Sequence, residues 1–445
     1  MTQEQNRIKE LEDLVKILLA EILDLKLKLS KYETPKNSNN SSIPPSKDEN
    51  RPRHTQSLRE KTDRKTGGQI GHTGTTLEMI DTPDELIKHY PHTQCSCGES
   101  LKDYPVRLTE CRQVLDLPVI KPIISEHQVF EQVCKCGRHH IGQFPNGVTS
   151  GISYGTGVES LAGYLHARQF LPLDRMREFF NDILSVPISE GGLYNAIDRI
   201  AKKAQPSYEN IRQEVEKSLV VGTDETGSRI DGHKGWFWTW QTSATTFIAA
   251  SMDRGTKTID RLFANGFPDA VFVHDCWKSH FNPIVLNHQI CIAHLLRELK
   301  YLTQQYNDNW SDELKILLLD ALELKKTMTN TTESQMQIVR NILNRRLNSL
   351  LEKEITDDKK ELIVFQKRLI RYKDYLFVFL DNINVPPDNN GSERAIRNIK
   401  VKHKISGYFK SMRGADIFAI LRSVTDTALK KNQNIFATLQ KIALT

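Results

Sequence analysis

Three carboxylates stand where an acid can do chemistry instead of merely solvating a surface. Asp224 follows the run Leu219-Val220-Val221-Gly222-Thr223, and Asp275 closes Ala270-Val271-Phe272-Val273-His274. Glu393 lies in Asp388-Asn389-Asn390-Gly391-Ser392-Glu393-Arg394, at the head of a basic segment. Two aspartates and a glutamate suit a pair of magnesium or manganese ions, hard cations that take few carboxylate oxygens and leave the remaining positions to water and phosphate. Such a pair activates an attacking oxygen and stabilises a leaving alkoxide, which is what phosphodiester cleavage or transfer requires. Any one of the three acids alone carries little weight, because aspartates end strands for many reasons.

Nearby polar residues read differently. Glu225 follows Asp224 in a strand, so it points to the opposite face and is expected to be structural. His274 and His280 flank Asp275 and read as packed or surface histidines, and Cys291 with His294 as a packing or DNA-positioning pair. Arg394, Arg397, Lys400, Lys402, Lys404, Lys410 and Arg413 follow Glu393, and a basic face beside a metal site is expected to hold DNA phosphates. From Glu393 onward, eleven Lys and Arg face only Glu393, Asp416 and Asp426. The mild basic excess of the chain, +6 with a pI near 8.8, is therefore concentrated where it can meet a polyanion.

The elements that must position these residues follow from periodicity. Residues 219–226, 235–242 and 245–252 read as three successive strands, the middle one with Trp236, Trp238 and Trp240 on one face. A helix over 256–264, a buried strand over 270–273 and a last strand over 288–293 come next. Three meandering strands followed by alternating helices and strands is the order of a ribonuclease H-like sheet, in which the first and fourth strands are neighbours; Asp224 and Asp275 would then lie side by side. The long interval to Glu393 contains strongly helical stretches at 312–326 and 333–354, so an α-helical insertion is expected. Val385-Pro386-Pro387 stops any helix, and Asn390 or Ser392 is expected to cap the next one.

Four further segments precede this block. Ile8, Val15, Ile22 and Leu29, with Leu11, Leu18, Leu25 and Tyr32 three positions on, form an a/d seam expected to pair two parallel helices. A linker rich in Asn, Ser, Pro and basic residues follows. Cys95-Ser96-Cys97-Gly98 and Cys134-Lys135-Cys136-Gly137 resemble two knuckles of a structural zinc site, with Cys111, His139 or His140 as alternative ligands to one of the four. Residues 172–184 and 189–203 read as two helices about a short turn, either a DNA-reading helix-turn-helix or a plain helical hairpin.

With 445 residues, the chain is long enough for several cores. The expected class is multidomain α+β. The expected divisions are 1–33 coiled coil, 34–75 basic linker, 76–150 cysteine-rich zinc module, 151–215 helical DNA-binding region, 216–300 catalytic core, 301–384 helical insertion and 385–445 catalytic helix with basic region. Seven cysteines, an odd number, and no secretory leader argue for reduced thiols. No apolar run approaches the roughly 18 residues a membrane helix needs. A cytoplasmic, nucleoid-associated protein without membrane contact is expected.

The chain resembles the insertion-sequence 66 family of DDE transposases along nearly its whole length. The resemblance rests on the zipper, the Asn37-Ser38 to Pro44-Pro45-Ser46 linker, Gly67-Gly68-Gln69-Ile70-Gly71-His72-Thr73-Gly74, the cysteine knuckles, Asp224-Glu225-Thr226, Cys291-Ile292-Ala293-His294 and Asn389-Asn390-Gly391-Ser392-Glu393-Arg394. It implies that Asp224, Asp275 and Glu393 bind the metals, and that the knuckles and helical pair recognise the ends of the element. The cysteine pairs are one residue tighter than the family's usual form, and the region after Thr427 is short. The expected activity is magnesium-dependent hydrolysis at transposon ends followed by strand transfer into target DNA, by a homodimer that accessory proteins can assist. A metal-dependent nuclease and an inactive DNA-binding regulator are the rival expectations.

Overall fold

The computed structural model describes residues 77–145, 147–148, 150–327 and 333–445, with scattered positions between 15 and 49. Most of the expected coiled coil and linker lie outside the described residues. Val15, Leu18, Ile22, Leu25 and Leu29 are described, and all five are helical and exposed.

The chain falls into two compact units, 52–123 and the remainder. The expected cysteine-rich module is divided between them. In the smaller unit, Cys95 N–H donates to Glu99 O at 2.8 Å and Gly98 N–H to Cys95 O at 2.9 Å. In the larger unit the same turn recurs: Cys134 N–H donates to Arg138 O and Gly137 N–H to Cys134 O, both at 2.8 Å. Gly98 and Gly137 have φ of +95° and +80°, a region that favours glycine, so each knuckle needs the residue that follows its second cysteine. The second turn joins β1 (Glu131–Val133) to β2 (His139–Ile141). Both strands are exposed, since a lone hairpin has no second layer to bury it.

The larger unit continues with α1 (Thr156–Ala167), α2 (Leu173–Glu178), a π-helical turn over Phe179–Ile183, α3 (Glu190–Lys203) and α4 (Gln205–Glu216). Ser189 caps α3, its Oγ accepting from Gly192 N–H at 3.1 Å. Then come β3 (Val220–Ile230), β4 (His233–Gln241), β5 (Thr246–Ser251), α5 (Thr256–Leu262), β6 (Phe267–His274) and β7 (Val285–Ile290). The sheet order is β5-β4-β3-β6-β7, with β3, β4 and β5 antiparallel and β6 and β7 parallel to β3. The first and fourth strands of the sheet are therefore neighbours. The helices α6 (Ile292–Tyr306), α7 (Asn309–Thr327), α8 (Glu333–Leu351), α9 (Lys360–Tyr372), α10 (Asn390–Ser406), α11 (Met412–Lys430) and α12 (Ile435–Ala443) complete the described fold.

Three apolar clusters explain the layering. Trp238, Trp240, Phe247 and Phe272 pack against Ala162, Leu193, Ile197, Ile200 and Ile211, so the helices of 151–215 share the sheet's main core instead of forming a body of their own. Phe237, Ile248 and Ile230 on the other face meet Ile399 of α10 and Phe418 of α11. Val271 and Val273 join Leu295, Leu299, Leu317, Leu347 and Phe365, which gives the helical insertion a core anchored on β6. The edge of β5 is closed by α11: Thr246 N–H donates to Thr427 Oγ1 at 3.1 Å and Ile248 N–H to Ser423 Oγ at 2.9 Å. An edge whose N–H groups are already paired offers no template to another strand. No described helix is long and apolar enough to cross a membrane.

Candidate active site

Asp224 lies on β3 two residues past Gly222, and Asp275 directly follows the last residue of β6; Gly222 pairs with Val273. The two aspartates thus project from adjacent strands into one cleft. Helix α10 is tied to the same place. Asn389 Nδ2 donates to Thr223 O at 2.6 Å, Ser392 Oγ to Asn389 Oδ1 at 2.7 Å, and Asn389 N–H to Cys291 Sγ at 3.2 Å. Asn389, not Asn390 or Ser392, occupies the position before α10; its side chain caps no helix N–H, Nδ2 donating to β3 and Oδ1 accepting from the Ser392 hydroxyl. A Cβ at position 222 would lie 2.6 Å from Gln241 Nε2 and 2.9 Å from Ser392 Oγ, so any larger residue there displaces the side chains of this joint. The Asn-Asn-Gly-Ser-Glu-Arg run is therefore the joint that ties the first turn of α10, with Glu393, to β3.

The surroundings of the acids are uneven. Burial, then the negative charges of Asp275 and Glu225, hold the Asp224 carboxyl well above the usual carboxylate range. Asp275 is also penalised by burial, but the hydrogen bond and charge of His280, with Trp277 N–H, more than offset this and hold it well below that range. His280 is completely buried, with Nδ1 3.1 Å from Asp275 Oδ1 and Nε2 3.1 Å from Glu225 Oε2. Nδ1 is hydrogen-bonded to Asp275, whereas Nε2 is ion-paired with Glu225 without a hydrogen bond. Although burial opposes its charge, Asp275 and Glu225 push its pKa up to about 10, so it is an imidazolium at neutral pH. Glu225, expected to be structural, has a side chain 2% exposed and pairs with this cation and with Arg254 at 2.8 Å.

Glu393 is met from α6. Arg297 Nη2 donates to its Oε1 at 2.9 Å, and His294 Nε2 lies 3.7 Å from the same oxygen. Burial and the Arg297 charge lower the His294 pKa against the pull of Asp275 and Glu393. Cys291 is buried beneath α10 and its thiol is pushed up to about 12 by burial, which suits a packing role. The roles of His280 and Arg297 are not evident from the order of residues. His294 and Arg297 do stand three apart on a helix and so share a face, a signal that could have marked them.

The donor set fits divalent cations. Among the described residues, Asp224 uses only Oδ1, toward Glu225 N–H at 2.8 Å, and Asp275 only Oδ1, toward Trp277 N–H and His280. Each aspartate keeps Oδ2 without a protein donor, and Glu393 keeps Oε2. His274, Asp275 and His280 are the one group of three whose ligand atoms lie within 4.8 Å of one another among the described residues. In that group His274 Nδ1 donates to Asp275 O, leaving Nε2 to accept from His288 Nδ1 at 2.9 Å, and His280 Nδ1 is hydrogen-bonded to Asp275 Oδ1.

The Transposase IS66 family matches residues 151–417, more than half of the chain. The chain belongs to the IS66 transposase family. A family of unknown function (DUF6444) matches residues 2–78 of the transposase, and no curated protein matches it.

The basic residues of the transposase divide into groups. Arg394, Arg397, Lys404 and Lys410 are exposed. Lys400 is half-buried and donates to Gly227 O at 2.6 Å, and Arg413 is exposed but pairs with Asp198 at 2.8 Å through Nε. Lys402 departs from the expected phosphate-binding set. It lies three residues past Ile399 on the buried stripe of α10, is 5% exposed, and burial lowers its ammonium pKa to about 8.

Proposed function

We propose that this transposase is a two-metal DDE enzyme of ribonuclease H-like fold. In this reading Asp224, Asp275 and Glu393 carry hydrolysis at transposon ends and transfer of the freed 3′ hydroxyl to target DNA. The observation that supports it best is the convergence of Asp224 and Asp275 from neighbouring strands on a helix joint that seats Glu393, each acid with an oxygen to spare. Asp224 Oδ2, Asp275 Oδ2 and Glu393 Oε2 would hold magnesium, or manganese. When bound, the ions supply a nucleophilic oxygen and charge stabilisation at the leaving oxygen.

The chain's own groups do the rest. His280, fixed as a cation by Glu225, holds Asp275 in one rotamer and keeps it ionised. Arg297 balances Glu393 and lies within reach of a phosphate. Arg394 and Arg397 sit one and four residues past Glu393 and face outward for the DNA backbone, with Lys404 and Lys410 beyond them. Helix α3, with its Ser189 cap, is read as part of the end-recognition surface.

A strand-transfer assay with a pre-cut transposon end and magnesium tests this. Asp224→Asn, Asp275→Asn and Glu393→Gln are each expected to lower joining by about a thousandfold or more while DNA binding is retained, as expected for loss of charge stabilisation at a reacting centre. Hydrolysis without joined product would favour the nuclease reading. Unchanged transposition with all three variants would favour the inactive regulator.

Each Cys-x-Cys-Gly turn is read as a thiolate pair suited to structural zinc. Elemental analysis is expected to find zinc on the chain, reduced in Cys97→Ser and in Cys134→Ser. The exposed seam of Val15, Leu18, Ile22, Leu25 and Leu29 is read as the surface that pairs two protomers, so that both DNA ends are held together.

A further inference from the structure

A row of alternating cations and indole rings runs from the β3–β4 hairpin to Asp275. The Arg254 guanidinium stacks between Trp277, 3.6 Å from its centroid, and Trp236, at 4.6 Å. Lys234 Nζ lies 5.1 Å from the centroid of Trp236. At the other end, Trp277 N–H donates to Asp275 Oδ1 at 2.9 Å, and Lys278 follows it in the chain. The row is held rigidly. Arg254 Nε and Nη2 converge on Glu225 Oε1 at 2.9 and 2.8 Å, which leaves Nη1 without a protein acceptor among the described residues. Lys234 and Lys278 are exposed and have no carboxylate partner there.

Strand alternation puts this row on the sheet face of Glu225 and Trp238, opposite to the face of Asp224 that meets α10. Two cationic surfaces therefore flank the carboxylates, and they differ in character. Arg394 and Arg397 on α10 form a plain basic face suited to duplex phosphates. The second row interleaves cations with aromatic rings, the composition that serves single strands, whose backbone needs charge and whose unpaired bases need apolar surface.

We propose that Lys234, Trp236, Arg254, Trp277 and Lys278 bind the unpaired DNA strand at the cleavage point, while α10 holds the duplex. This rests on the DDE reading of the carboxylates. Both surfaces can be probed with the full chain by fluorescence anisotropy on a short single-stranded oligodeoxynucleotide and on its duplex, across a salt series. Lys234→Ala/Lys278→Ala is expected to reduce the single-strand salt slope by about 1.4, two phosphates at roughly 0.7 each. Its duplex slope and thermal midpoint are expected to match the parent. Arg254→Lys, which keeps charge but loses the planar stack, is expected to weaken single-strand binding about tenfold. Should Arg254→Lys fail to fold, the double variant still decides.

A parental single-strand slope in the double variant, or an equal loss on duplex, would overturn the proposal. In either case, loss of duplex binding by Arg394→Ala/Arg397→Ala would leave the DNA-processing reading standing. Absence of binding to both probes by the parent chain would overturn both.

Discussion

At the scale of single residues, histidines show how burial decides charge. His280 is surrounded by carboxylates and carries a proton. His288, 8% exposed and hydrogen-bonded to His274, has its pKa lowered to about 4 by burial and by the His280 charge. Donation by His274 Nδ1 to Asp275 O leaves its Nε2 to accept from His288 Nδ1–H, so this chain of bonds depends on His274 staying neutral. The sign of the pH effect follows. The unfolded chain takes up this proton near pH 6.5 and the folded one only near pH 4, so the unfolded state binds more protons between those values. The contribution to stability is complete above about pH 6.5 and is lost as pH falls to about 4, by on the order of 3 kcal/mol. Urea midpoints measured from pH 7 to 4 are expected to fall less steeply in His288→Asn, which keeps a donor near the Nδ1 position but no titrating ring. An identical slope would show that other groups set the acid limb.

At the scale of elements, the critical joint is that of β3, β4 and α10. Gln241 is wedged between Gly222 and Gly391, and its Oε1 accepts from Lys430 Nζ at 2.8 Å, so it cannot easily yield. Gly391→Ala is expected to destabilise by about 1–3 kcal/mol through overpacking, and to displace Glu393 enough to lower joining. Removing the obstruction reverses the sign. In Gly391→Ala/Gln241→Ala the added methyl gains space and alanine is the better helix former, so most of the loss is expected to return. Urea unfolding of the two single variants and the double one measures this coupling; additive changes would mean that the glycine serves something other than this contact. Lys430 belongs to the same joint, since its Nζ also meets Thr242 O and Thr245 O at 2.7 and 2.8 Å and fixes the β4–β5 turn.

At the scale of the whole molecule, the five-stranded sheet is covered by chain segments distant in sequence. The N-terminal helices α1, α3 and α4 pack with Trp238, Trp240 and the C-terminal α11 and α12 in one core, so neither end of 151–445 is dispensable to the other. The described heptad residues Val15, Leu18, Ile22, Leu25 and Leu29 are exposed, and deletion of residues 1–33 is expected to convert a dimer to a monomer. Light scattering of the parent and the shortened chain checks this. An unchanged mass would move dimerisation to another surface.

Local pattern made the strand meander, the position of Asp275 at the end of a buried strand, the helical insertion and the restart after Val385-Pro386-Pro387 legible in the chain itself. Period-two alternation, apolar runs and proline act over a few residues, so they survive in one dimension. The cap of α10 was misplaced by one residue or more because Asn389 bonds to Thr223, a partner far away in sequence. Lys402 reads as a free cation until the stripe of Ala395 and Ile399 is seen to turn it inward. The same reason hid His280 and Arg297. Residue types and their order determined by themselves which acids this protein has and which strands present them. Only the tertiary structure decided how the pKa values of Asp224 and Asp275 are pushed apart, which cations are exposed and which are buried or paired, and that a ring and guanidinium row adjoins these acids, because desolvation and pairing depend on neighbours that chain order does not record.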